Sequence, residues 1–284
     1  MLWRLFQSGR EVERYLHDDA WALVTGASDG IGKALADELL KRGFNVFVHG
    51  RNPQKLGRVR DELAARYPKQ NVETVVCDAG AVDEAMVETI VRQVGDRTLT
   101  LFVNNLGATE RRIVPLSAQS WSDVEATLNI GVRFAAHLTR ALLPVLISHA
   151  PAAALQIGSS SARFGAPFVP IYAASKGFLR TLSRCVELEL RADSVDVQVQ
   201  YVDVGEVRTT AHDVPLSFAV VTSESMAKAI VDAVGCGAGE VTPHWHHELI
   251  NYVTTCLPPR LLDYFVTQTM QAKRDDLVVD KKND

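Results

Sequence analysis

Short apolar runs alternate along the chain with longer stretches whose apolar residues recur every three or four positions. The runs are Trp21–Thr25, Asn45–His49, Val72–Cys77, Leu99–Asn104, Ala153–Ile157 and Val195–Val202. They are too short and too uniformly apolar for surface helices. Their richness in Val, Leu, Ile and Phe predicts strands covered on both faces. The segments between them have helical spacing. Gly32–Arg42 sets Leu35, Ala36 and Leu39 on one face and ends at Gly43, behind Lys41 and Arg42. Pro53–Tyr67 opens on a proline, which suits a first helical turn, and stops before Pro68. Val82–Val94, Ser120–Leu143, Ile171–Arg191 and Ser223–Val234 complete the series. Six repeats of strand and helix predict an α/β fold with a doubly wound parallel sheet and helices on both faces. The expected divisions are an N-terminal arm over 1–19, one α/β domain over 20–243 and a helical, amphipathic tail over 244–284, broken by Pro258-Pro259.

Composition narrows the partners. Apolar residues make up 47% and charged residues 23% of 284, as in an ordinary soluble domain. The formal net charge of −4 argues against nucleic acid, which requires a concentrated basic surface. No run of about 20 apolar residues marks a membrane span. The apolar start, Met1-Leu2-Trp3-Arg4-Leu5-Phe6, lacks the apolar core and cleavage site of a signal peptide. It reads as a docked arm, with an interfacial anchor as the alternative. Cys77, Cys185, Cys236 and Cys256 are far apart, as expected for reduced thiols in a cytoplasmic setting. His244, His246 and His247 have no carboxylate or cysteine at ligand spacing, so no metal is expected.

The first strand runs into Thr25-Gly26-Ala27-Ser28-Asp29-Gly30-Ile31-Gly32, with glycines spaced G-x-x-x-G-x-G. Gly26 permits a tight turn, Gly30 lets a pyrophosphate approach the helix N-terminus, and Gly32 allows close helix–strand packing. Ser28, Asp29 and Ile31 complete this expected cofactor loop; the bland alternative is a plain strand–helix connection. The second strand ends His49-Gly50-Arg51-Asn52, without the carboxylate that would bind the adenosine ribose hydroxyls. Arg51, beside Asn52, is placed to pair with a 2′-phosphate, which favours NADP(H) over NAD(H). Asp78, after the third strand, is a candidate acceptor for the adenine amino group. A solvated arginine and a helix-capping aspartate are the alternatives at these two positions.

Tyr172 and Lys176 stand four residues apart, on one face of a predicted helix. A nearby cation stabilises a phenolate and suits a tyrosine to acid–base work. Ser159 lies thirteen residues upstream, just beyond a predicted strand, where its hydroxyl can face the same point.

These residues resemble the short-chain dehydrogenases/reductases. The resemblance rests on Thr25-Gly26-(x3)-Gly30-Ile31-Gly32, Asn104-Asn105-Leu106-Gly107, Asn129, Ser159 and Tyr172-(x3)-Lys176, in the family's order and spacing over roughly residues 20–243. It implies a single Rossmann domain of about seven strands, in the order 3-2-1-4-5-6-7. It also implies hydride transfer between NADP(H) and a ketone or secondary alcohol. Tyr172 would act as general acid and base, Ser159 would polarise the carbonyl, and Lys176 would hold the nicotinamide ribose. Asn129 would position a relay water. Asn104 and Gly107 would line the adenosine ribose, while Asn105 would brace neighbouring strands. After the sixth strand the family usually reads Pro-Gly-x-Val-x-Thr. Here Val204 replaces the proline, and Val207 and Thr209 remain to bind the carboxamide.

The opening Trp21–Ala34, Asn104–Gly107 and Val241-Thr242-Pro243-His244-Trp245 look like the 17β-hydroxysteroid dehydrogenase and very-long-chain 3-oxoacyl-CoA reductase branch. The implied substrate is an apolar carbonyl or alcohol: a steroid, a 3-oxoacyl group or a polyketide-like ketone. Phe164, Phe168, Val214 and Phe218, with Val169 and Leu216, flank the expected site and are candidates for its pocket. Imine reduction, cyclisation and a non-catalytic NADP(H) sensor are the competing functions. The resemblance implies a homodimer or homotetramer paired through Ser120–Leu143 and Ile171–Arg191. Lys281-Lys282-Asn283-Asp284 fits a dilysine retrieval pattern, which adds the cytosolic face of the endoplasmic reticulum and peripheral membrane contact through Leu257–Val266 to the expectations.

Overall fold

Val24 of strand β1 (Trp21–Val24) lies between Val48 of β2 (Asn45–Gly50) and Val103 of β4 (Leu99–Asn104), all parallel. The computed structural model describes residues 11–107 and 113–283, with side chains as far as Asp275. Met1–Phe6 and the side chains of Lys281–Asp284 lie outside the described residues. The remaining strands are β3 (Val72–Val76), β5 (Ala152–Ile157), β6 (Val197–Val202), β7 (Glu206–Arg208), β8 (Val220–Thr222) and β9 (Glu240–Val241). Seven strands form one sheet in the order β3-β2-β1-β4-β5-β6-β9, every pair parallel. The order reverses between β1 and β4. Their carboxyl ends therefore open the crevice in which doubly wound sheets bind ligands.

Helices cover both faces. They are α1 (Gly30–Lys41), α2 (Pro53–Arg66), α3 (Glu84–Val94), α4 (Trp121–Leu128), α5 (Ala135–Ser148), the short α6 (Ser161–Phe164), α7 (Pro170–Ala192), α8 (Ser223–Ala233), α9 (Trp245–Thr255) and α10 (Pro259–Asn283). On β1, Ala22 and Val24 join Leu35 and Leu39 of α1 in one core layer. Trp21 and Leu23 join Phe102 of β4 and Leu138 and Leu142 of α5 in the other. Burying each Leu or Phe contributes about 1.5–3 kcal/mol, which is why both faces of β1 are apolar. Residues Glu11–Tyr15 form a 3₁₀ turn whose Val12 and Tyr15 are buried, so this part of the arm is docked. Thr100 Oγ1 donates to the Tyr15 carbonyl at 2.7 Å.

Three features depart from the pattern. The helix expected over Ser120–Leu143 is α4 and α5 joined by a π turn, Asn129–Phe134. The wider turn shifts the stripe by about one residue, but the segment is apolar on more than one side, so periodicity does not reveal it. Among the described residues, Trp121–Ser148 is the stretch long and apolar enough to cross a membrane. Its Phe134, Leu138, Leu142 and Leu146 are buried against the sheet. The second departure is the parallel ribbon β7–β8, three residues per strand and too short to show a period. It makes the seventh strand of the main sheet the ninth in sequence. Third, the sixth strand starts at Val197, not Val195.

Candidate active site

The glycine loop turns as its sequence requires. Gly26 has φ +66° and Gly30 φ +52°, a region that side chains disfavour. A Cβ on Gly32 would lie 2.3 Å from the Gly26 carbonyl oxygen, so no larger residue fits there. Asp29 caps α1 by accepting from the Gly30 N–H at 2.7 Å. Its other oxygen takes the Lys55 ammonium at 2.6 Å, and these partners hold the carboxyl below its usual range despite partial burial. A cleft of about 490 Å³ opens beside the loop, lined by Gly26, Ser28, Arg51, Asp78 and Gly107, among others. Arg51 is exposed at its edge. Asn52 Oδ1 accepts from the Lys55 N–H at 2.8 Å, so its side chain caps α2. Asp78 caps a 3₁₀ turn through the Gly80 N–H at 3.0 Å and still lines the cleft.

The Asn104–Gly107 segment divides its work. Asn104 is fully buried, and its amide donates to Gln156 Oε1 at 2.7 Å within the sheet. It does not line the cleft. Asn105 Nδ2 donates to the Thr25 carbonyl at 2.9 Å and braces β1. Gly107 lies where a Cβ would be 3.1 Å from Lys176 Nζ.

His49 lies beneath the loop, buried at the end of β2. Its Nδ1 accepts from the Gly26 N–H at 3.3 Å, and its Nε2 is 2.9 Å from Cys77 Sγ. Burial pushes its pKa down to about 4, so the ring is neutral at working pH and Nε2 carries the proton. Within an apolar run, this histidine carried no sequence signal of its role as support for the turn.

Tyr172 and Lys176 share one face of α7. Lys176 Nζ lies 5.8 Å from the Tyr172 ring centroid and donates to the Ile157 carbonyl at 2.8 Å. Complete burial pulls the Lys176 pKa down to about 8. Ser159 follows two residues after Ile157. Its Oγ accepts from the Ser161 N–H at 3.3 Å and the Ser161 hydroxyl at 3.0 Å. Both lone pairs are thereby engaged, which leaves the Ser159 proton to donate. The π turn packs against α7 at Gly131, where a Cβ would lie 2.8 Å from Ser175 Oγ. Asn129 opens that turn, and its Nδ2 donates to the Gly80 carbonyl at 3.0 Å. π turns recur at functional sites.

The loop after β6 is fixed by a residue that the spacing could not indicate. His247 Nδ1 accepts from the Gly205 N–H at 3.1 Å, and its Nε2 donates to the Ala219 carbonyl at 3.0 Å. The imidazole thus holds the loop that a proline usually stiffens. Val207 is buried on β7, and Thr209 packs against Gly30, 3.0 Å from where its Cβ would be. Beneath the loop, the fully buried Asp203 accepts from Arg163 Nε at 2.7 Å and Asn251 Nδ2 at 2.8 Å.

The pocket candidates sit in the loops around this point. Phe168 holds a left-handed φ of +70° with Arg274 of α10 over its ring at 4.7 Å. Phe164 and Val214 are half-buried, whereas Phe218 is half-exposed and stacks on His246. Lys273 of α10 pairs with Glu206 at 2.8 Å. Among the described residues, no group of three His, Cys, Asp or Glu is arranged as a metal site.

A glycine-turned crevice at the β1–β4 reversal, lined by Gly107 at the point where that glycine meets the buried Lys176, defines a nucleotide-binding oxidoreductase. The chain belongs to the short chain dehydrogenase family, whose model matches residues 20–216. Members of this family work with a nicotinamide cofactor. The chain is 28% identical over 268 residues to a very-long-chain 3-oxoacyl-CoA reductase of Mycosarcoma maydis, covering 90% of this chain and 75% of that one. Among solved structures it resembles a 7β-hydroxysteroid dehydrogenase, with TM-score 0.78, 18% identity and 90% and 99% of the two chains covered. It also resembles a short-chain dehydrogenase from Sphingobium yanoikuyae in complex with NADPH, with TM-score 0.69, 21% identity and 84% and 96% covered. At those identities the two structures show the fold alone.

Proposed function

We propose that this chain reduces the 3-oxo group of a long-chain acyl thioester to the 3-hydroxy group, using NADPH. The reaction type is carried by one observation: α7 presents Tyr172 beside a buried Lys176 whose ammonium reaches the Ile157 carbonyl, two residues from Ser159. The substrate class is supported by the 3-oxoacyl-CoA reductase relative, which aligns over most of both chains. Ser159, with its proton free to donate, holds and polarises the carbonyl oxygen. Tyr172 gives that oxygen a proton as it gains electrons, and Lys176 stabilises the phenolate left behind. Asn129 anchors the π turn against which water would be held on the way to Lys176.

The glycine cradle and the cleft fit a dinucleotide. Gly26, Ser28, Gly30 and Ile31 would hold the pyrophosphate, Arg51 the 2′-phosphate, Asp78 the adenine, Gly107 the adenosine ribose and Lys176 the nicotinamide ribose. Val207 and Thr209 would meet the carboxamide. When bound, the nicotinamide supplies the hydride that reduces the carbonyl carbon. Residues 20–243 form the catalytic domain in this reading, between the arm 1–19 and the extension 244–284. The exposed Trp245, Tyr252, Tyr264 and Phe265 of α9 and α10 suit contact with the lipid surface where such acyl chains reside. Co-flotation with phosphatidylcholine vesicles tests that contact, and a chain left wholly in the dense fraction refutes it.

The deciding experiment offers NADPH with 3-oxoacyl-CoA esters, steroid ketones and polyketide-like ketones, with products read by mass spectrometry. A 3-hydroxyacyl-CoA product that disappears in Tyr172→Phe supports the proposal. Reduction of only the other ketones overturns the substrate assignment, and tight NADPH binding with no product favours a sensor.

A further inference from the structure

Ser159 is held by more than its own strand. Tyr201 of β6 accepts the Ser159 N–H at 3.0 Å and donates its hydroxyl proton to the Ser159 carbonyl at 3.2 Å. The two residues are 42 positions apart. The ring reaches Ser159 by crossing Gly158, where a Cβ would lie 2.0 Å from a Tyr201 ring carbon. Gly158 is therefore the opening through which the phenol passes. The ring is fully buried, with Ala135 of α5 and Leu179 of α7 in the same apolar cluster. Burial drives its pKa well above the ordinary phenol range, so Tyr201 keeps its proton where Tyr172 is placed to exchange one.

We propose that Tyr201 is a positioning residue that sets the hydroxyl of Ser159 against the carbonyl oxygen. This rests on the reductase reading above. Both backbone polar groups of Ser159 bond to one buried hydroxyl, and its carbonyl also accepts from the Ala162 N–H at 3.0 Å. That fixes the backbone from which Oγ projects, while Ser161 engages the lone pairs of Oγ itself. Ser159 can then neither turn nor slide when substrate enters. Misplacing a reacting group by about 1 Å costs on the order of 100-fold in rate, so the clamp acts on turnover and not on binding.

The test is Tyr201→Phe, which removes the hydroxyl and keeps the ring, measured with Ser159→Ala and the double variant. The reaction is NADPH oxidation with a long-chain 3-oxoacyl-CoA, or with whichever ketone of the panel the unaltered protein reduces. Tyr201→Phe is expected to lower kcat about 10- to 100-fold while leaving the NADPH Kd unchanged. In the Ser159→Ala background it is expected to lower kcat no further, because it acts through Ser159. A structural role alone would produce equal losses in both backgrounds and overturn the proposal, as would an unchanged kcat. If the unaltered protein reduces nothing, the reductase reading falls by itself. The clamp is then judged by amide hydrogen exchange of the unaltered protein and of Tyr201→Phe, which needs no substrate. A Ser159 amide that exchanges like an exposed loop amide overturns it, and one that is protected in the unaltered protein and freed in Tyr201→Phe supports it.

Discussion

Lys176 is bonded through its ammonium to the carbonyl of Ile157, which ties the middle of α7 to the carboxyl end of β5. The bond holds the ammonium 5.8 Å from the Tyr172 ring centroid, at the cost of complete burial. Lys176→Met should therefore abolish turnover and raise stability. The folded pKa is about 8 against 10.5 in the open chain, so between those values the unfolded state binds more protons and stability rises with pH. Below pH 8 the penalty is fully present, on the order of 3 kcal/mol. Urea unfolding at pH 7 should show a gain of that order in the variant, shrinking towards pH 10.5. A destabilised variant at pH 7 would contradict this account.

Arg51 is exposed at the cleft edge, and β2 offers no carboxylate there. Arg51→Asp is expected to weaken NADPH about 10- to 100-fold, the range lost with a charge-assisted hydrogen bond. NADH should change little. Titration of both cofactors by calorimetry decides it, and equal losses would remove Arg51 from phosphate recognition.

His49 is neutral when folded, with a pKa of about 4, and ordinary when unfolded. As pH falls below 6.5 the unfolded chain takes up a proton that the folded one does not, so stability falls until about pH 4. Thermal melts across this range should show the loss, and His49→Gln should flatten it. An unchanged slope in the variant would place the acid sensitivity elsewhere.

Arg163 neutralises Asp203, whose carboxyl burial pushes upward in pKa and whose Oδ1 has no partner among the described residues. Arg163→Met strands that carboxylate and should cost about 3–5 kcal/mol. In the variant the folded state holds the Asp203 proton more tightly than the unfolded chain does, so stability should fall as pH rises. Restoration by Asp203→Asn in the same chain would confirm the pairing; no restoration would refute it.

Much of the site was legible because local spacing carries it. Gly26, Gly30 and Gly32 announce a turn against a helix, and Tyr172 with Lys176 announces a shared helical face. What was illegible is what distance in sequence hides. The π turn at Asn129 lies in a segment apolar on more than one side, which masks its change of phase. His49 and Tyr201 lie inside apolar runs, where a strand reading absorbs them. His247 replaces a loop proline from 42 positions away, and Arg163 meets Asp203 across 40. Asn104 illustrates the converse: a motif residue whose side chain the sheet consumes, leaving the cleft to its neighbours.

The contacts of Lys273 with Glu206 and of Arg274 with Phe168 join α10 to β7 and to the loop before α7. A protease that clips α10 behind Pro259 would leave the sheet whole, yet release β7 and Phe168, which flank the candidate site. Trimming of the tail would then register as altered substrate preference long before it registered as unfolding.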